Sequence, residues 1–510
     1  MSEHAQELND EVGLNLKMAQ AAFGDIKGKL TGHDRTALTR GLQSVTAAQT
    51  TQAQLSVALS EPQEPGPVDP GPPGAVVYVP AGGNLQSALD AATGGTVIEL
   101  EARAKYPGPY TLRNHGSGDY VTVRTRGQQR SGRTARADAP ALAQIISTAM
   151  APPLKALPGA HHWRFEDVTV TQDVGQTWSL LEIGRGEETS YDQVPHHFIL
   201  DRCALMVPDQ IPIRRGVALN AFDCLFRDTA IWNIKEVGFD TQAIGGRLGG
   251  RHRFENCELE AAGENIMFGG SPASIVDAMV RDVVIDGCAL PKNPRWNQAS
   301  PDWDGSAWQI KNNFEIKAGE RIKVLNTTMA HCWRQAQDGC AVLLTVRSEY
   351  GVNPWATIRD ILFENVTITG VGNGFQFLSA EENYPSVPAR DWTFRNIYVE
   401  ASIEHGGNGR IMEGSPIESL TLDNVVGITD GSSAYYFRAD QPSASGFVFR
   451  NSAWLQNTYG FWTDGVAFDK VFPGATWSDI VVGGASSDYP PPKPSTVIPV
   501  EEYLTRYKRP

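Results

Sequence analysis

Phe165-Glu166-Asp167-Val168-Thr169-Val170, Phe254-Glu255-Asn256-Cys257-Glu258-Leu259, Phe363-Glu364-Asn365-Val366-Thr367-Ile368 and Phe394-Arg395-Asn396-Ile397-Tyr398-Val399 are four copies of one pattern. Each has an apolar residue, a free position, a turn-forming Asn or Asp, a small or β-branched residue, a free position and a second apolar residue. Looser copies surround Cys203, Cys224, Cys288, Thr327, Val425 and Ser452, at intervals of 21 to 39 residues. A short alternating strand points every second side chain inward, and a recurrence of this length is one coil of a solenoid with a loop of variable size. The repeats therefore predict an all-β fold, a parallel β-helix, over residues 75–488. Stacked coils put like residues above like, which places Cys203, Cys224, Cys257 and Cys288 at one inward register. Their spacings of 21, 33 and 31 fit no zinc-ligand pattern. The column reads as buried small side chains filling the interior rather than as a metal or redox ladder.

The flanks follow from this core. Asn84 to Ala92 predicts one amphipathic helix, between strands at 76–79 and 96–100, that caps the apolar end of the first coil. Residues 61–74, Glu-Pro-Gln-Glu-Pro-Gly-Pro-Val-Asp-Pro-Gly-Pro-Pro-Gly, are an extended spacer. Before it, Leu16, Ala19, Phe23, Ile26 and Leu30 recur at helical spacing, and Leu42, Val45, Gln49, Gln52 and Leu59 fit a second heptad register. Residues 1–60 are thus expected to be helical, either oligomerising the chain or docking it on something. The prolines of Tyr489 to Pro494 predict an extended C-terminal arm over 489–510 that packs on the flank or on a neighbouring chain.

Composition narrows the function. Fifty glycines and 12 tryptophans suit a turn-rich β-protein. Lys and Arg number 44 against 58 Asp and Glu, and the resulting charge of −14 argues against nucleic acid and against an anionic membrane surface. No run of roughly 18 apolar residues spans a bilayer. Met-Ser-Glu-His-Ala-Gln-Glu-Leu lacks the features of a secretory signal, so an extracellular protein is expected to leave by another route. There is no Walker loop, dinucleotide fingerprint, His-Glu-x-x-His or Gly-x-Ser-x-Gly elbow.

The repeats resemble the pectate-lyase-like superfamily of right-handed parallel β-helices, including bacterial members and phage tailspike-type proteins. Residues 76–112 are similar to the first coil of many of them, through Thr96-Val97-Ile98-Glu99-Leu100 and Tyr106-Pro107-Gly108-Pro109-Tyr110-Thr111-Leu112. Residues 219–400 resemble one subgroup more closely, through Asp240 to Ile244, Glu260 to Gly270, Lys311 to Lys317 and Gly339 to Arg347. The resemblance implies fold more firmly than reaction, since such helices serve as lyases, hydrolases, adhesins and virion spikes.

Polar residues gather between 235 and 347. Lys235, Glu236, Asp240, Glu260, Glu264, Asn265, Lys311, Glu315, Lys317, His331, Asp338 and Arg347 lie a coil apart or less, so they are expected to form a lateral charged strip. Two carboxylates on such a strip suit glycosidic hydrolysis, and carboxylates with Lys or Arg suit proton abstraction beside a uronate. Glu260, Glu264, Glu315, Lys317 and Arg347 are the candidate catalytic residues, and Lys235, Asp240, Lys311 and His331 are candidate ligand-binding residues. Ion-pair ladders and turns account for the same residues without a ligand. Trp296, Trp303 and Trp308 on the insert 291–308 either stack on sugar rings or fold the insert back on the coils. No metal or cofactor is expected, apart from Ca2+ if the protein is a lyase.

The leading expectation is a bacteriophage virion surface protein: a tail spike, fibre or capsid-decorating protein. Its β-helix would bind host-surface glycan, and its N-terminal helices would hold it, as a trimer, to other virion proteins. The alternative is an extracellular or surface-bound polysaccharide lyase or glycoside hydrolase.

Overall fold

From the coil of Asp167 onward, a left-handed residue at a fixed place in each coil organises the chain. Asp167, Arg202, Asp228, Asn256, Asn326, Asn365, Asn396, Asn424, Asn451 and Asp479 all have φ between 48° and 57°, and Gly287 takes the equivalent place. The turn-forming position of the repeat is this corner, where Asn and Asp tolerate a conformation that most side chains resist. The corner asparagines also hydrogen-bond to one another along the stack. Asn365 Nδ2 donates to Asn326 Oδ1 at 2.9 Å, Asn396 Nδ2 to Asn365 Oδ1 at 2.9 Å, and Asn424 Nδ2 to Asn396 Oδ1 at 2.9 Å.

The computed structural model describes residues 74–509, other than 129, 176, 177 and 487. The helical segment expected over 1–60 lies outside the described residues, as does most of the spacer. The described chain is a right-handed parallel β-helix with one 25-stranded and one 12-stranded parallel sheet. The larger sheet covers two faces. In early coils the corner residue separates two strands, as in Gly249–Glu255 and Glu258–Ala261. In later coils one strand runs through the corner, as in Ile358–Val371, Arg390–Ala401 and Glu418–Thr429, and this fuses the two faces.

Each face contributes an apolar column to the interior. The first apolar residue of the repeat stacks as Phe226 on Phe254 and Phe363 on Phe394, with ring centroids 4.9 and 5.3 Å apart. The second gives Leu205, Ile231 and Leu259 in register, and the smaller sheet gives Val217, Ile244, Ile266, Phe314 and Val342. All are buried, and each large side chain contributes roughly 2 kcal/mol. Leu85 and Leu89 of the helix Leu85–Ala91 close the first coil, and Asn84 accepts from the Ser87 amide as its cap.

Two expectations change here. Cys203, Cys257 and Cys288 do follow the corner residue and fill the interior, but Cys224 belongs to another column, paired with Phe198. Its coil turns at Asp228-Thr229. Asp223 is also left-handed (φ 56°), in a second such column at the start of the strands, so Asp223-Cys224 mimics the repeat. The C-terminal stretch is not an extended arm throughout. Thr496–Ile498 joins the larger sheet beside Val481–Gly483, and Val500–Tyr507 is a helix. Tyr503 is buried against Tyr398, Ile428, Ala453 and Leu455, and its hydroxyl donates to the Gly427 carbonyl at 2.8 Å. An outward apolar patch on the last coils thus selects the amphipathic helix that the neighbouring prolines concealed.

Asn396→Ala is expected to lower stability by about 1–2 kcal/mol, from a left-handed alanine and two lost ladder bonds. Asn396→Gly is expected to lower it less. Urea unfolding of both variants checks the order, and a glycine variant as unstable as the alanine one would refute the backbone explanation.

Candidate functional site

Part of the expected strip comes together, on the two sides of the corner Ala261–Gly263. On one side of that corner the smaller sheet brings Glu264 and Glu315 together on adjacent coils. Glu264 begins the strand Glu264–Phe268, in register with Gln242 on the coil before, and Gln242 Nε2 donates to Glu264 Oε2 at 2.8 Å. Glu315 is the central residue of Phe314–Ile316 and aligns with Met267 and Leu343, facing away from the interior column. Lys311 Nζ lies 2.6 Å from Glu264 and 2.8 Å from Asp240, and Lys317 Nζ lies 3.4 Å from Glu315. Asp240, Glu264, Lys311, Glu315 and Lys317 are therefore one connected cluster.

Glu264 and Glu315 are almost wholly buried, at 0% and 1% exposure. Burial, reinforced by the neighbouring Glu264, pushes the Glu315 carboxyl up to about 7. Burial also opposes the Lys311 ammonium, but Glu264, Glu315 and Asp240 outweigh it and hold its pKa above the usual lysine value. The result is a carboxylic acid that titrates near neutrality, set against a second carboxyl and two ammonium groups.

On the other side of the corner lies an open groove of about 510 Å³, lined by Arg136, Asp209, Asn233, Glu260, Arg295 and His331 among others. Glu260 accepts from Arg136 Nη2 at 2.7 Å and from the Asn233 amide at 3.1 Å. The Arg136 guanidinium also lies over the Trp232 ring, 5.0 Å from its centroid.

Lys292 joins the two sides. It is fully buried, and its ammonium, with three N–H donors, is surrounded at 2.7 to 3.1 Å by the carbonyl oxygens of Ala261, Ala262, Gly263 and Asn312 and by Asn265 Oδ1. Burial pulls its pKa down to about 8. The lysine fills the corner as a bound cation would, and it fixes the backbone between Glu260 and Glu264.

The remaining candidates separate. Arg347 pairs with Glu381 at 3.3 Å, outside the cluster. Lys235 is buried, its ammonium 5.5 and 5.0 Å from the ring centroids of Trp296 and Trp308, and burial lowers its pKa. Trp296 and Trp308 are 1% and 8% exposed and pack with Trp333, Ile310 and Ala262. They hold the insert on the coils and cannot stack on a sugar as expected. Trp303 remains 40% exposed on that insert. Sequence reading missed Arg136, which reaches Glu260 across 124 residues. It also missed Lys292, whose only local signal was a lysine between two turn residues.

No family model and no curated protein matches the chain. Solved structures do match it. The PL6 family alginate lyase AlyGC aligns over 83% of this chain and 53% of its own length, at 12% identity and a TM-score of 0.51, so this chain spans about half of that enzyme. The tailspike protein gp49 of Acinetobacter baumannii bacteriophage Fri1, a capsular polysaccharide depolymerase, aligns over 85% of this chain and 66% of its own, at 10% identity and a TM-score of 0.38. The tailspike of E. coli bacteriophage HK620, solved with a pentasaccharide, covers 82% of this chain and 74% of its own, at 9% identity and a TM-score of 0.39. The likeness is one of fold, the right-handed parallel β-helix.

The Glu315 carboxyl gives a pH signature. In the unfolded chain it loses its proton near 4.5 and in the folded chain near 7, so the folded state holds the extra proton between these values. Its contribution to stability therefore falls as pH rises across that window and stays low above it. Glu315→Gln is expected to gain on the order of 2 kcal/mol relative to the natural chain over the same window. Urea midpoints at several pH values check this, and parallel curves for the two proteins would contradict it.

Proposed function

We propose that the protein binds a polysaccharide along the side of its β-helix, as a bacteriophage virion surface protein: a tail spike, fibre or capsid-decorating protein. The observation that carries the binding is the open groove, one wall of which is the start of the insert that further on carries Trp303. Arg136 and Arg295 offer donors and Asp209 and Glu260 offer acceptors, a mixture suited to sugar hydroxyls, which donate and accept at one atom. Each arginine pairs with a groove carboxylate, Arg136 with Glu260 and Arg295 with Asp209, and a carboxylate on the glycan would compete for either. Alginate, the substrate that AlyGC's name states, is accordingly the first polymer to test. The virion reading draws on the layout of heptad segment, proline spacer and β-helix, which suits a trimer attached at one end to other virion proteins.

A second reading, a polysaccharide lyase or glycoside hydrolase, is favoured by the Glu264–Glu315 pair. A carboxyl that titrates near 7 is suited to proton transfer at neutral pH, and its partner lies on the adjacent coil. Lys311 Nζ already occupies the space between Asp240 and Glu264, so this cluster does not fit Ca2+.

Light scattering of the full chain and of a version beginning at Ala75, followed by incubation of both with acidic polysaccharides, tests both readings. The expected result is a trimer that falls to a monomer on truncation. Retained polymer binding should weaken about tenfold in Arg295→Ala and Trp303→Ala. Two equal monomers that bind nothing would overturn the proposal. New reducing ends or unsaturated products that vanish in Glu315→Gln would establish the enzyme reading instead.

A further inference from the structure

Four of the ten histidines stand in two dipeptides, His161-His162 and His196-His197, which open adjacent strands of the larger sheet. His161 and His196 are in register, and their rings stack 4.7 Å apart. His162 and His197 are both left-handed (φ 56° and 57°), and their rings stack 4.4 Å apart. His161 and His162 approach at 2.8 Å between Nδ1 atoms, and His196 and His197 at 2.7 Å. His162, His196 and His197 each present one ring nitrogen within 4.8 Å of the others.

The same left-handed column continues along the solenoid with charges instead of imidazoles. Arg251 grips Asp223 with two contacts of 2.6 Å, and Arg321 grips Asp282 at 2.6 and 2.9 Å. Each of those carboxylates has a cation. In the histidine coils three ring nitrogens converge instead, and Asp223, already held by Arg251, lies 3.8 Å from His197 Nδ1.

From this geometry we infer that His162, His196 and His197 form a binding site for a divalent transition-metal ion, with zinc as the test ion, that clips two adjacent coils together. Imidazole nitrogen is the ligand type that zinc, nickel and copper share. Three nitrogens at zinc distances of about 2.0–2.1 Å would sit about 3.3 Å apart, between the closest and widest separations here, so small ring rotations bring them into place. The rings are half-buried, which leaves a fourth position open to water. Burial and the neighbouring imidazoles hold His162 down to about 3 and His196 down to about 4, consistent with neutral imidazoles, each with one nitrogen lone pair, at neutral pH. His161 flanks the site through its bond to His162.

The test uses the full chain, produced without a histidine tag, stripped with chelator and titrated with zinc chloride by calorimetry. One ion per chain with a dissociation constant below about 10 µM is expected, together with a higher melting temperature when zinc is present. His162→Ala and His197→Ala should each weaken binding roughly 100-fold, whereas His331→Ala and His405→Ala should leave it unchanged. His197→Gln, closer in shape, serves if an alanine variant does not fold. Cobalt substitution should give a visible spectrum of tetrahedral nitrogen ligation that disappears in His197→Gln. No binding below millimolar zinc, or binding that survives His162→Ala and His197→Gln, would overturn the inference.

Discussion

The tight corner between the first two faces carries the constraint on which the rest of this structure depends. A left-handed backbone at that point lets the chain turn within one residue with the flanking apolar positions both pointing inward. Most side chains resist the conformation, and asparagine recovers part of that cost through the ladder it forms with the coils above and below. Where the ladder breaks, other pairs take over, as when Asn256 donates to Asp228 at 2.6 Å and Asn451 to Asp423 at 2.8 Å. Coil stacking is thus specified twice, by rings inside and by amides outside.

The charged strip uses the corner next along the coil, where the chain passes from the larger sheet to the smaller one. There the turn is not held by a left-handed asparagine. It is held by a buried ammonium, with Lys292 gathering four carbonyls and an amide oxygen. Such a centre stabilises only while every partner stays in place, since a buried charge without partners is strongly unfavourable. The strand bearing Glu260 and the strand bearing Glu264 therefore move together, and the groove and the carboxyl pair share one rigid support.

The repeat could be read from sequence because its signal is local. Phe363, Asn365 and Ile368 lie within six residues and recur intact. Cys224 misled for the same reason, since six residues cannot distinguish two columns that both place a left-handed aspartate before an inward side chain. The candidate site was legible as a cluster but not as contacts. Asp240, Glu264, Lys311, Glu315 and Lys317 did converge, because coil stacking brings such residues side by side. Arg136 was invisible because its partner lies several coils away. Trp296 and Trp308 looked like ligand platforms because a loop rich in polar residues hides which side of it meets the coils.

One residue separates the apolar strands at the asparagine corner from Asp167 onward, whereas in the coil before it a longer loop joins Val121–Thr125 to Ala143–Ser147 and both strands stay in register with their neighbours. Elsewhere the chain already accommodates long excursions, such as the stretch between Ala289–Pro291 and Phe314–Ile316, without disturbing the pairing of either strand. Strand pairing thus keeps the pitch, and the connections between strands are free to vary. A lineage could exchange the loops that meet a ligand, coil by coil, while the column of aromatic rings beneath them stayed the same.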